Sequence, residues 1–350
     1  MTTSVKKILE SAIENELFPG VQYAIIKQQS IKTNAIGFKR LFPEKEKITG
    51  NEIYDVASLT KVIVTTTLIM QLIEKNIIEL KTPLAHILKT FKHQHITIED
   101  LLLHQSGLPA DIPNASKLAS KDEVIDYILD VDLNYETATH IVYSDIGFML
   151  LGLAIEKLYD KPLSACAQTY IFEPLGMKNS SFHPPKSRCA PTEYRNDLVY
   201  QGFLQGDVHD EKAFAMQGES GHAGLFSTAY DIGLFIKAIL NNTFVLKDKT
   251  IDMLFIAAAK KTNLNGVNLI RSLGWDKPQP GGSSGDYSDF KETILHTGFT
   301  GCNMWIDRRN KLGFVLLSND VHPTRDQKGI LPLRHMIANQ IYIEEVKHET

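Results

Sequence analysis

Apolar positions in the chain keep two different periods. Near the N-terminus Val5, Ile8, Leu9, Ala12, Ile13 and Leu17 recur at helical spacing, with Glu10, Glu14 and Glu16 between them. This predicts an amphipathic helix that stops at Phe18-Pro19-Gly20. The next two runs, "VQYAIIK" and "IKTNAIGF", are short and rich in Ile and Val, and predict strands. The run after Ser58 is β-branched, which favours a strand, but its length and its continuation into "LIMQLIEKNIIEL" favour a buried helix. The expectation is a helix with Ser58 near its N-terminus. In "ITIEDLLLHQSGLP", Thr97 and Asp100 stand at capping-box spacing and Gly107 is a stop signal. "SKDEVIDYILDV", "DIGFMLLGLAIEKLYDKPL" and "STAYDIGLFIKAIL" also predict helices, the last with Thr228 and Asp231 as a second capping pair. A loop-rich stretch runs from about 176 to 224. Strand signals return after about Leu264 in "TILHTG", "CNMWIDR" and "KLGFVLLSN", with a hairpin turn at "DRRNK". A last helix is expected from about Leu331 to Glu345, with Pro332 in its first turn.

Strands joined by hairpins imply an antiparallel sheet. The pattern predicts an α+β fold in which residues 1–81 and 245–350 form one lobe around that sheet. Residues 82–244 form a mainly helical lobe inserted into it, and a cleft lies between the two. No internal repeat is visible.

Composition narrows the function classes. The 350 residues carry a net charge of −4 without a long run of one sign, which points away from nucleic acid and from an anionic membrane surface. The three cysteines, Cys166, Cys189 and Cys302, are far apart and form no CxxC. That fits reduced thiols in a cytoplasmic protein. The first residues lack the pattern of a signal peptide, and the longest apolar run, Val62 to Ile73, is too short to span a bilayer and includes three threonines. A soluble cytoplasmic protein is expected. His93 and His95 are two apart, and no HExxH or Cys cluster occurs, so neither a metal nor another cofactor is expected.

Three short segments carry candidate chemistry. Ser58-Leu59-Thr60-Lys61 puts a hydroxyl and an amine three residues apart, on one face of a helix. A serine attacks a carbonyl only once a base takes its proton, and a lysine serves as that base only when partly neutral. Spacing alone does not decide, because Ser4 and Lys7 share it. "VYSDIGFMLLG" places Tyr143, Ser144 and Asp145 ahead of an apolar helix, which is equally the pattern of an N-cap. "LHTGFTG" places His296, Thr297 and Gly298 at a strand end, where turn glycines are ordinary. His222, flanked by glycines in "GHAG", stands where backbone could approach a ligand, or is a buried histidine bonded to backbone. "GGSSG" at 281–285 has the letters of a nucleophile elbow without the strand-to-helix setting, so it reads as loop. Cys302, Trp275 and Trp305 read as packing residues.

Taken in order, the three segments resemble the serine β-lactamase and penicillin-binding-protein superfamily: Ser-x-x-Lys, then a Tyr- or Ser-led triplet, then Lys-Thr-Gly or a variant. The likeness is greatest to the class C branch, where the second motif begins with Tyr and His can replace the Lys of the third. "HQSGLP" (104–109), "GHAGLFSTAYD" (221–231), "GFTG" (298–301) and "SNDVHPTR" (318–325) resemble its penicillin-binding-protein-like and esterase-like members. The resemblance implies a β-lactamase/transpeptidase-like fold. It implies Ser58 as nucleophile, deprotonated by Lys61 directly or through Tyr143, with Tyr143 passing a proton to the leaving group. It also implies an oxyanion hole from the N–H groups of Ser58 and Phe299. Asp145, His296, Thr297, Gly298 and His222 are then expected at the substrate.

Two departures matter. Asp145 stands where class C enzymes carry an amide, and an acid there favours a charged Lys61. His296 is a weaker anchor for a carboxylate than lysine. The expected activity is therefore a serine hydrolase acting through an acyl-serine on a small ester, amide, β-lactam or short D-amino acid peptide, with weak or no β-lactamase activity. The alternatives are a slowly acylating sensor of β-lactams or peptidoglycan fragments, and an authentic class C-like β-lactamase.

Overall fold

The computed structural model describes residues 4–326 and 329–346. Six strands form one antiparallel sheet: β1 (Gly20–Lys27), β2 (Ser30–Arg40), β3 (Glu46–Lys47), β4 (Thr293–Thr297), β5 (Asn303–Asp307) and β6 (Leu312–Ser318). Their spatial order is β4-β5-β6-β1-β2-β3, so strands from the two ends of the chain meet where β1 pairs with β6. The period of two sorts the side chains. Val21, Tyr23 and Ile25 of β1, with Leu312, Phe314 and Leu316 of β6, pack under the terminal helices Ser4–Glu14 and Leu333–Glu345. Ala24, Ile26, Val315 and Leu317 face the larger core on the other side. Trp305 is buried in the first cluster and Trp275 in the second.

The expected elements form with a few corrections. The stretch after Ser58 is helical from 59 to 74, but Lys61–Thr66 is wound as π-helix before Thr67–Glu74 continues as α-helix. Threonine hydroxyls support the wider turn: Thr66 Oγ1 donates to the Lys61 carbonyl (2.8 Å) and Thr67 Oγ1 to that of Val62 (3.1 Å). Such π segments recur at functional sites. Thr97 and Asp100 make the full capping box. Thr228 caps its helix, but the Asp231 carboxylate bonds Asn179 and Ser180 instead of closing a box.

The helix Ala229–Leu240 lies close: a Cβ at Gly233 would sit 3.0 Å from Ile31, and one at Gly313 would sit 2.3 Å from Ile236. This helix therefore packs directly on the sheet. Among the described residues, no helix is long and apolar enough to cross a membrane, and the three cysteines are buried and unpaired.

Candidate active site

The residues around Ser58 are held by a strained turn. Tyr54–Asp55 pairs with Phe226–Ser227, and Val56 N–H donates to the Leu225 carbonyl (3.0 Å). Ala57 then adopts a left-handed conformation (φ 47°), which costs energy for a residue with a Cβ. Asp55 stabilises it: one oxygen accepts from Ala57 N–H (2.8 Å) and the other from His209 N–H (2.7 Å). Ser58 leaves this turn at the mouth of a cleft of about 490 Å³. Lys61, one turn on, is fully buried, and its Nζ lies 2.9 Å from Ser58 Oγ. Ser4 and Lys7, with the same spacing, sit on exposed surface outside that cleft.

Tyr143, Ser144 and Asp145 are fixed by the loop before them. Ser144 caps the helix Asp145–Tyr159 and donates Oγ–H to the Pro109 carbonyl (2.6 Å), while Asp145 N–H donates to that of Ala110 (2.8 Å). His104 lies beneath. Its Nδ1 accepts from Ser144 N–H (3.0 Å), and its ring packs 4.7 Å from Tyr143 and 5.0 Å from Phe148. Burial, with Arg271 and Lys61 nearby, holds His104 well below the ordinary imidazole pKa, so it is a neutral shelf under the tyrosine. The "HQSGLP" phrase contained this residue, but nothing in its spacing pointed to a role.

Asp145 is the hub of the charges. Its Oδ1 lies 2.8 Å from Lys61 Nζ and its Oδ2 lies 3.3 Å from Lys212 Nζ. Burial lowers the Lys61 pKa, but the charges of Asp145 and Tyr143 more than offset this, so Lys61 is held above its ordinary value. Burial raises Tyr143 most strongly, with Lys61 pulling it the other way and Asp145 adding to the rise. The resting pair is an ammonium and a phenol. Asp145 itself is pushed up by burial but drawn lower overall by Lys61, His222 and Lys212.

The third motif ends β4. His296 is buried, with Nδ1 donating to the Thr297 carbonyl (2.9 Å). Burial, Lys61 and Arg271 push its pKa to about 4 against the pull of Asp276, so it is neutral at pH 7. Gly298 has a steric reason: a Cβ there would stand 2.6 Å from the Val56 carbonyl, two residues before Ser58. That close approach brings the 298–302 loop against the serine turn. Thr300 Oγ1 donates to the Asp55 carbonyl (2.8 Å), and Arg334, from the last helix, donates to the Cys302 carbonyl (2.9 Å). Phe299, half-exposed, stacks on His209 at the cleft mouth. Ser58, Tyr143, Asp145, His296, Thr297, Gly298 and Phe299 all line the cleft.

His222 does not. Its imidazole is buried between Asp210 (2.8 Å) and Ser220 (2.8 Å), and only its carbonyl takes part, accepting from Lys61 Nζ (3.1 Å). The glycines make room for backbone: a Cβ at Gly221 would lie 2.1 Å from the Phe148 carbonyl and one at Gly224 2.2 Å from that of Gly218. Asp145, Asp210 and His222 have ligating atoms within 4.8 Å of one another. Two of the chain's own ammonium groups lie against them, Lys212 at 3.0 Å from Asp210 and Lys61 at 2.8 Å from Asp145. Lys212, Arg271 and Arg334 were missed in the sequence because each stands alone in a segment without a motif. "GGSSG" is a loop, as expected.

Known proteins resemble this chain along nearly its whole length. The Beta-lactamase family model matches residues 5–338. An N-acetylmuramyl-L-alanine amidase of Bacillus subtilis (strain 168) is 32% identical over 371 residues, covering 91% of this chain and 82% of that protein. A penicillin-binding protein homolog from Caulobacter crescentus superposes with a TM-score of 0.78 at 15% identity, over 97% of this chain and 96% of that one. A D-amino acid amidase from Ochrobactrum anthropi SV3 does so with a TM-score of 0.74 at 20% identity, over 99% and 98% of the two chains. The chain belongs to the Beta-lactamase family and is a serine hydrolase with that family's α+β fold.

Proposed function

We propose that the protein is an amidase that cleaves a short peptidoglycan-type amide through an acyl-Ser58 intermediate. The observation that carries this reading is the 2.9 Å contact between Ser58 Oγ and the buried Lys61 Nζ, with Tyr143 beside them. Ser58 Oγ attacks the amide carbonyl. Its proton passes to the Lys61–Tyr143 pair, which must first have lost one proton from its resting ammonium–phenol state. The oxyanion is held by the N–H groups of Ser58 and Phe299. Tyr143 returns a proton to the departing amine, and water then releases the acid by the same route. The ionisation that limits the rate belongs to the pair rather than to either residue.

The substrate class rests on three supports. The likeness to an N-acetylmuramyl-L-alanine amidase extends over most of both chains. The cleft, about 490 Å³, suits a short peptide or amino-sugar conjugate. A neutral His296 is a poor electrostatic anchor for the carboxylate of a penicillin, so efficient β-lactam turnover is not expected. A second reading, slow acylation without turnover, is favoured by the Lys61–Asp145 contact at 2.8 Å, which holds the base in its charged form.

One experiment separates the two. Wild type and Ser58→Ala are assayed on N-acetylmuramyl-L-alanine, D-amino acid peptides, p-nitrophenyl esters and nitrocefin, with intact-protein mass followed in parallel. Turnover of the amide that disappears in Ser58→Ala supports the amidase. A persistent adduct on Ser58 without product supports slow acylation. Full activity of Ser58→Ala removes both.

A further inference from the structure

Lys212 is a lysine of unusual setting. It stands at the start of a short helix, in "HDEKAF", where the sequence reads as solvated surface. Its side chain is nevertheless 4% exposed. The ammonium meets three carboxylates: Asp111 at 2.8 Å, Asp210 at 3.0 Å and Asp145 at 3.3 Å. Asp145 in turn meets Lys61 at 2.8 Å, and Lys61 meets Ser58 at 2.9 Å. Charges of alternating sign therefore run from the cleft wall to the nucleophile. Tyr143 with Arg271 over its ring, Phe148 and the His222 carbonyl also surround Lys61, and the His222 imidazole faces Asp210 behind Asp145. His104 and His296 are neutral neighbours, held so first by burial and then by the Lys61 and Arg271 charges.

The arrangement answers a problem set by Asp145. An acid bonded to Lys61 stabilises the ammonium, and the reactive pair must lose a proton. If Asp145 were committed to Lys61 alone, with Asp210 and Asp111 behind it, the local field would be strongly negative and the proton hard to remove. A second ammonium on the other oxygen divides the carboxylate between two cations. Lys212 draws part of that carboxylate's charge away from Lys61, and Asp145 still holds Lys61 above its ordinary value.

We propose that Lys212 is a positioning residue for acyl transfer, sharing Asp145 with Lys61 and so easing the proton loss that activates Ser58. This rests on the acyl-Ser58 reading, and it assigns Lys212 no contact with the reacting atoms.

The test uses a fluorophosphonate probe, whose phosphorus bonds to Ser58 Oγ as fluoride leaves and the serine proton passes to the base. The second-order labelling rate is measured from pH 5 to 10. In Lys212→Met the rising limb is expected at higher pH by about one to three units, the size of shift a neighbouring charge produces. The rate at pH 7 then falls about tenfold or more. Asp145→Asn moves the limb the other way. Asp145→Asn/Lys212→Met returns it close to wild type, and Lys212→Arg, which keeps the charge, leaves it nearly in place. A merely structural lysine would lower the melting temperature without moving the limb. An unmoved limb in folded Lys212→Met overturns the proposal. Should that variant not fold, an unmoved limb in Asp145→Asn does so. Labelling that persists in Ser58→Ala overturns the acyl-serine reading instead, so the two failures are distinguishable.

Discussion

Lys61 and His296 are both buried beside the same cleft, and burial pushes both toward the neutral form. They end in opposite states. Lys61 has a carboxylate oxygen at 2.8 Å and stays charged. His296 has a backbone carbonyl on Nδ1, and Arg271 and Lys61 oppose its charging, so it stays neutral. The difference teaches that burial sets the neutral form at this cleft and that a carboxylate at hydrogen-bond distance reverses it. On the proposed acyl-Ser58 reading it also divides the labour: one wall works by charge and the other by shape. A family pattern with lysine in both motifs would put cations on both walls, and this chain keeps only the first.

The largest effect should come from breaking the charged wall. Lys61→Met removes the partner of Ser58 and leaves Asp145 with Lys212 alone. Turnover is expected to fall by about 10²–10⁴, the range for losing a positioned proton carrier. Steady-state kcat/KM on the best amide, with the melting temperature as control, measures it. A loss under tenfold would mean that Lys61 is structural and that the contrast with His296 has no catalytic meaning.

Next comes the shaped wall. If the third motif acts through geometry, its glycine should matter more than its histidine. Gly298→Ala puts a Cβ 2.6 Å from the Val56 carbonyl and forces the 298–302 loop off the serine turn. The expected cost is about 10²–10³ in kcat, that of losing an oxyanion donor. His296→Asn keeps a polar group of similar size, so its cost should stay within about tenfold, near that of one neutral hydrogen bond. It should also leave the pH profile between 6 and 8 unaltered, because no imidazolium titrates there. The reverse order of the two effects would show that the histidine carries the function.

How much of this was legible depends on what each feature needed. The sheet was readable because Val21, Tyr23 and Ile25 alternate with Ala24 and Ile26, and a period of two survives into the fold. Ser58, Lys61, Tyr143 and His296 were readable because each sits in a short segment with fixed spacing. Lys212 was not, because its partners Asp111, Asp145 and Asp210 come from three segments that only the fold joins. Its polar neighbours gave it the look of surface. His222 misled for the opposite reason: its glycines signal a close approach, but spacing cannot say that the approaching group is the Phe148 carbonyl. The π-helix at Lys61–Thr66 leaves no pattern distinct from an α-helix over so few residues.

The smallest effect concerns stability. His296 titrates at about 4 in the folded protein and near 6.5 when unfolded. The folded state therefore refuses a proton that the unfolded chain accepts. Its contribution is fully present above pH 6.5 and is lost progressively as the pH falls toward 4. Between pH 7.5 and 5 this one group accounts for on the order of 2 kcal/mol, at 1.36 kcal/mol per pKa unit over about one and a half units. His296→Asn has no such proton to refuse. Urea denaturation at the two pH values should show wild type losing more stability than the variant by about that amount, other carboxylates and histidines cancelling in the difference. Equal losses in the two proteins would mean that His296 takes up its proton in the folded state as readily as in the unfolded chain. The contrast with Lys61 would then be one of partner chemistry and not of protonation.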